Sequence, residues 1–111
     1  MDALEAYRTA TERVLTEYAR FLTSDAETIC ETVFDRVSDR YLVVEVGWER
    51  GHRIYGSLLH VDIFEGKLWI QQDGTEDGVA GELVAAGVPK DRIVLGFRPP
   101  SLRSQSEFAV A

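Results

Sequence analysis

The side chains best suited to chemistry are four acids and one histidine that fall within eighteen residues: His60, Asp62, Asp73, Glu76 and Asp77. Carboxylates combined with one imidazole can hold Mg²⁺, Mn²⁺ or Zn²⁺. His60, Asp62, Asp73 and Asp77 are therefore candidate metal ligands, and a metal-dependent enzyme is one hypothesis for the chain. Their spacing matches no HExxH, paired CxxC or EF-hand pattern. The alternative is a half-buried histidine beside solvated turn acids, two of which start a helix and suit its dipole.

Three other positions carry reactive groups, and each has a structural interpretation. Glu65-Gly66-Lys67 has the E-x-K shape of some nuclease strands, but its glycine predicts a hairpin turn. Gly74 stands beside a predicted helix start, yet the neighbouring acids repel phosphate. Cys30 is the one cysteine, and we expect it to be a buried strand residue. The sequence therefore predicts no catalytic residue and no cofactor.

The chain is acidic, with 19 Asp and Glu against 12 Lys and Arg and a net charge of −7. Nucleic-acid binders usually concentrate basic residues because neutralised phosphates supply most of their affinity, so this charge argues against direct nucleic-acid binding. The charge suits a cationic protein partner instead. Direct DNA binding stays an alternative that needs six arginines on one face: Arg36, Arg40, Arg50, Arg53, Arg98 and Arg103.

The first residues, MDALEAYRTATERVLTEY, mix acids and arginines and lack the basic and apolar regions of a signal peptide. No apolar run approaches the ~20 residues that span a membrane. A single cysteine cannot form an internal disulfide, which fits a reducing compartment. We therefore expect a cytoplasmic protein without a membrane segment.

Residue patterns predict a single α+β domain over residues 1–111 with the order α-β-β-β-β-α-β. An amphipathic stripe predicts a helix over 2–22 with Asp2 as its N-cap, and a loop that starts at Ser24 and Asp25. β-branched and aromatic runs with short turns predict a four-stranded antiparallel meander, and Thr75 is the predicted N-cap of a short second helix. The predicted strands cover 28–34, 41–48, 52–64, 67–72 and 93–97, the second helix covers 76–86, and Pro99-Pro100 ends regular structure.

Alternation of side chains along the strands assigns two faces to the predicted sheet. The face predicted to lie under the helices carries Leu42, Val44, Val46, Trp48, Tyr55, Leu59, Val61, Ile63, Leu68 and Ile70. The opposite face is too apolar for contact with water, since it carries Tyr41 and five predicted partner-interface residues: Val43, Ile54, Leu58, Phe64 and Trp69. Either the C-terminal segment folds back over that face, or the face binds a partner protein or a second copy in a homodimer.

Three blocks of the sequence resemble the XisI family, the fdxN element excision controlling factor proteins of cyanobacteria. The blocks are FDRVSDRYLVVEVGWERGHRIYG, LLHVDIFEGKLWIQQDGTEDGVAGELVAAGVPKDRIVLGFRPP and the closing EFAVA. The resemblance extends over residues 2–111, and the stretch from DGTEDG to VLGFRPP is its most specific part.

The resemblance implies a role in the programmed excision of a DNA element in heterocyst-forming cyanobacteria. In that system the site-specific recombinase XisF cuts the DNA, and XisI and XisH are accessory factors that control it. The resemblance also implies a XisH-like partner with a nuclease fold, and it supplies no catalytic residues. We therefore expect a non-enzymatic accessory protein that binds a XisH-like partner and is linked to the recombinase only indirectly.

Overall fold

A computed structural model of the chain describes residues 2–23 and 27–111. Its elements are α1 (Ala3–Leu22), β1 (Thr28–Asp35), β2 (Arg40–Glu49), β3 (His52–Phe64), β4 (Lys67–Asp73), α2 (Val79–Ala85), a 3₁₀ turn (Lys90–Arg92), β5 (Ile93–Val94) and α3 (Pro100–Arg103). The predicted α+β class is confirmed. The loop predicted to start at Ser24 and Asp25 lies outside the described residues.

The five strands form one sheet in the order β1-β2-β3-β4-β5. The first four strands pair as an antiparallel meander, as predicted. The fifth strand pairs in parallel with β4, with Leu68 opposite Ile93 and Trp69 opposite Val94. A parallel neighbour requires a crossover connection, and α2 supplies it here. The predicted fifth strand over 93–97 is therefore shortened to the two residues that reach β4.

The first helix covers one face of this sheet. Asp2 caps the helix as predicted, since its carboxylate accepts a hydrogen bond of 2.8 Å from the Glu5 amide. Val14 and Leu15 of the helix are buried in the same core as the helix-facing residues of β2, β3 and β4 and Leu83 of α2. The core thus lies between the sheet and the two longer helices α1 and α2, which leave the other sheet face uncovered; we call it the helix-free face, although the short helix α3 reaches its β4 margin.

Two sets of charged hydrogen bonds fasten α1 to the turn between β1 and β2. Arg8 donates to both carboxylate oxygens of Asp39, at 2.8 and 3.0 Å, and the Tyr41 hydroxyl donates to the same carboxylate at 2.8 Å. The guanidinium lowers the pKa of Asp39, while burial raises the pKa of Tyr41. Arg36 in the turn donates to Glu12 of the helix at 2.7 and 2.9 Å. These contacts fix the helix over one face of the sheet.

The faces of the second strand are the reverse of the prediction. Tyr41 and Val43 lie opposite Val61 and Leu59, and all four side chains are fully buried under the helices. The prediction was wrong because both alternations along this strand are apolar, so its own sequence does not reveal which one is covered. The residues predicted as core therefore point away from the helices: Leu42, Val44, Val46 and Trp48.

A β-bulge in the third strand reverses a second assignment. The pairing shifts between Val43 and Val44, so that Leu58 has no partner residue on β2. The extra residue changes which alternate side chains face the helices. Tyr55, predicted to share a face with Leu59, consequently lies on the other side of the sheet and is 76% exposed.

The second helix begins three residues later than predicted. The Asp73 carboxylate accepts hydrogen bonds from the Thr75 amide, the Thr75 hydroxyl and the Val79 amide. The Thr75 hydroxyl accepts one from the Gly78 amide at 3.2 Å, and Gly78 has φ of 87°. Asp73 and Thr75 therefore hold a turn that precedes the helix, and Thr75 is not its N-cap.

The C-terminal segment returns to the edge of the sheet. Pro100 opens the short helix α3, contrary to the prediction that regular structure ends at the proline pair. The Ala109 amide donates to the Ile93 carbonyl at 2.9 Å, and Phe108 packs against the core. The segment therefore shields the β5 edge. Among the described helices, none has the length and apolar character to cross a membrane.

Candidate functional site

The four candidate metal ligands fall into two separate groups. His60 Nε2 lies 2.7 Å from Asp62 Oδ1, and the strand register places both side chains on the sheet face without helices. Asp73 caps the start of α2 on the helix-covered side, and Asp77 lies in the exposed turn before that helix. Within residues 2–23 and 27–111, no group of three or more His, Cys, Asp or Glu side chains is placed to hold a metal ion.

The six arginines needed for a DNA-binding face are also dispersed. Arg36 binds Glu12 of α1. Arg53 lies near one end of the helix-free face, while Arg40 lies at the other end of the same face between carboxylates of the neighbouring strands. Arg103 donates to backbone carbonyls of the C-terminal region and lies over the Trp69 ring at 5.3 Å. No continuous basic surface therefore connects the six.

The sheet face opposite the helices carries a broad apolar surface. Strand register aligns its side chains in rows across β1, β2 and β3. Trp48 is 52% exposed and Val33 is 51% exposed, although water-facing strands usually carry polar residues. We call the following seven side chains the apolar patch: Ile29, Val33, Leu42, Val44, Val46, Trp48 and Tyr55.

The five predicted interface residues occupy different environments. Val43 has no exposed surface and is part of the core, so its assignment to the uncovered face was wrong. Ile54 and Leu58 are half-buried and point toward the helix-covered side, because the bulge shifts their register. Phe64 is 59% exposed on the helix-free face, and Trp69 lies there beneath Arg103. The interface role of all five stays a prediction.

The C-terminal segment covers only one margin of the helix-free face. Arg103 lies over Trp69 on β4, and Ala109 bridges Val94 on β5. Lys67 of β4 hydrogen-bonds the Ala111 carbonyl. The expectation that this segment folds back over the face is therefore met at β4, while at β5 the segment pairs with the edge of the sheet. The apolar patch on the other three strands is left without a cover from the described chain.

A second candidate surface is the groove between α1 and α2, which we call the acidic groove. It encloses about 370 Å³ and is lined by Val14, Glu17, Tyr18, Phe21, Asp77 and Glu82. Its apolar part includes Phe21, which is 83% exposed. Burial raises the pKa of the Tyr18 hydroxyl, and the nearby Glu82 carboxylate adds to this rise. The lining thus combines aromatic surface with three carboxylates and no basic residue.

The carboxylates of the acidic groove are not held in ion pairs by the part of the chain that the structure describes. Glu17, Asp77 and Glu82 form no ion pair with any residue in the described ranges. By contrast, Glu12 on another face of α1 is bound to Arg36. The groove is therefore a site of uncompensated negative charge, and it can attract a cationic group from outside the chain.

The model of the XisI protein family matches residues 1–110 of the chain. The chain belongs to the XisI family. A XisI-like protein from Anabaena variabilis ATCC 29413 is 37% identical and has a TM-score of 0.89, and the match covers 97% of this chain and 99% of that one. The fdxN element excision controlling factor XisI from the same strain is 32% identical, with a TM-score of 0.86 and coverage of 99% and 100%. No match was found among curated proteins.

The family assignment made from the three sequence blocks is thus confirmed, whereas the acidic groove was missed. Its signal is present in the first helix, because Val14, Glu17, Tyr18 and Phe21 recur at the spacing of one helical face. Val14 and Tyr18 also fit the apolar stripe that predicts the helix, so their spacing alone does not distinguish a groove from the core.

Proposed function

We propose that this chain is a non-catalytic accessory factor that controls the excision of a DNA element, or a related DNA-processing activity, by binding a XisH-like partner protein. Membership of the XisI family supplies the kind of process, since one solved relative is an fdxN element excision controlling factor. The chain contributes a binding surface to this process. The partner contributes the contact with DNA, and a DNA-handling protein is expected to carry basic residues.

The acidic groove is the observation that carries this proposal. Phe21 offers an exposed ring that can anchor a partner side chain, and Glu17, Asp77 and Glu82 surround it with negative charge. Interfaces commonly combine an aromatic anchor with a polar rim. A basic segment of the partner therefore meets an apolar contact and three carboxylates in one place, and binding neutralises carboxylates that form no ion pair with a described residue.

The test is a calorimetric titration of the chain with a XisH-like protein from the same genome, after the two have been co-expressed and co-purified. We expect a complex whose affinity falls as the salt concentration rises, because exposed charges are screened. The variant Glu17→Gln, Asp77→Asn, Glu82→Gln removes three negative charges from the groove. It should weaken binding about tenfold or more, since each lost contact removes part of the electrostatic complementarity.

The matched control carries Glu49→Gln, Glu65→Gln and Asp91→Asn, three exposed positions outside the groove. It removes the same number of negative charges from the chain, so it separates the groove from the overall charge of the chain. We expect this control to bind nearly as well as the wild type. Absence of a complex with the wild type would overturn the proposed function, and equal weakening by both variants would overturn the role of the groove.

A further inference from the structure

The apolar patch contains aromatic, aliphatic and charged groups in a pattern that indicates a specific occupant. Glu31 and Arg53 are the charged side chains that lie among its rows, and neither forms an ion pair with another described residue. The Arg53 guanidinium instead lies over the rings of Trp48 and Tyr55, at 5.3 and 6.0 Å. Tryptophan, tyrosine and arginine are the residues most enriched at the energetic centres of protein interfaces.

The charge of the helix-free face differs from that of the rest of the chain. In strands β1 to β4 this face carries three acids and three bases: Glu31, Asp35, Asp62, Arg40, Arg53 and Lys67. It is therefore neutral, although the chain has a net charge of −7. A basic partner gains no net Coulomb attraction from a neutral face, in contrast to the acidic groove. A second copy of the chain, itself acidic, meets no net repulsion there.

We propose that the apolar patch binds a second copy of this chain, so that two sheets pack face to face in a symmetric dimer. Twisted sheets pack in this way about 10 Å apart, with their side chains interdigitated. Glu31 lies on β1 and Arg53 on β3, on opposite sides of β2. The two-fold axis would lie between the two sheets, at right angles to the line from Glu31 to Arg53 and level with its midpoint. Such an axis places each Glu31 over the Arg53 of the other copy, which gives two ion pairs per dimer.

The size of the face suits such a dimer. From strand spacing, the apolar patch spans about 15 Å across and about 20 Å along the strands, or roughly 300 Å² in projection. With the polar ends of β1, β2 and β3 included, the uncovered face spans about 15 Å by about 33 Å, or roughly 500 Å² in projection, of the same order as the ~800 Å² per partner of a standard interface. The dimer would thus have an apolar centre and a polar rim, the usual arrangement of protein interfaces.

Sedimentation velocity of the purified chain tests this proposal. A monomer has a mass of 12.5 kDa, and we expect the sedimenting mass to rise toward twice that value between low and high micromolar concentration. In the Arg53→Glu variant, the new carboxylate lies opposite Glu31 of the second copy, and this repulsion occurs twice in the symmetric dimer. The variant should therefore raise the dimer dissociation constant about tenfold or more. The double variant Glu31→Arg, Arg53→Glu reverses both charges and should restore the dimer.

Phe21→Ser is the control variant, because it removes an exposed aromatic ring on the opposite side of the molecule. It should leave the dimer unchanged, and the unfolding midpoint of each variant should show that the monomer fold is retained. A strict monomer at every concentration would overturn the proposal. A dimer that Phe21→Ser disrupts and Arg53→Glu preserves would overturn it as well, since the second copy would then occupy the groove.

Discussion

Val43 and Val44 are neighbours in sequence and lie on opposite faces of the sheet, so their truncation tests the fold directly. Val43 is fully buried under the helices, whereas Val44 is half-buried in the apolar patch. Removing two methyl groups from a buried side chain costs about 1.6 kcal/mol at about 0.8 kcal/mol for each group. The cavity that is left adds to this cost, so Val43→Ala should lower the unfolding free energy by roughly 2–3 kcal/mol.

Val44→Ala should cost about 1 kcal/mol or less, because water already reaches part of the side chain in the single molecule. The measurement is urea unfolding at low protein concentration, where monomers prevail. The slope of the unfolding free energy against urea concentration should be the same for both variants. Equal losses, or a larger loss for Val44→Ala, would refute the assignment of faces on which the apolar patch depends.

Two further perturbations probe contacts that hold the sheet and the first helix. Gly47→Ala would place its Cβ inside van der Waals contact with the Glu27 carbonyl oxygen, so it should lower the unfolding free energy by roughly 1–3 kcal/mol. Gly56→Ala, whose Cβ meets nothing within 4 Å, should be tolerated. Arg8 lowers the pKa of Asp39, so this carboxylate stabilises the fold fully above its unfolded-state pKa of about 4. This contribution is lost as the pH falls through the lowered folded-state pKa. Asp39→Asn should therefore be less stable at neutral pH and lose less stability on acidification, as measured by thermal unfolding across pH. A Gly47→Ala variant with the unfolding free energy of the wild type would contradict the close contact with Glu27. An Asp39→Asn variant that loses as much stability at low pH as the wild type would contradict the contact between Arg8 and Asp39.

Local signals in the sequence predicted the elements well. The carboxylate of Asp2 marks the start of the first helix, and the pair Glu65-Gly66 marks the turn between β3 and β4, where both residues have positive φ. Such signals depend on a few neighbouring residues and need no knowledge of the tertiary fold. The start of α2 was harder, because Asp73 reaches six residues forward to the Val79 amide and delays the helix.

The assignment of faces failed because it depends on pairing between strands. Alternation predicts which residues share a face within one strand, but a single extra residue in β3 reverses the alternation of the strand relative to β2. Tyr41 and Leu42 are equally apolar in the sequence, and the helix-facing position of Tyr41 follows from its bonds to the turn. The binding surfaces could be predicted only in part for the same reason, since the groove requires α1 and α2 to meet.

In the proposed dimer, a second copy of the chain shields the apolar patch from water. Trp48 reports on this patch directly in a Trp69→Phe variant, which leaves it as the single indole of the chain. Quenching of its fluorescence by acrylamide should decrease as the protein concentration rises, in step with the increase in sedimenting mass. Quenching that stays at the level of a half-exposed indole at every concentration would contradict the claim.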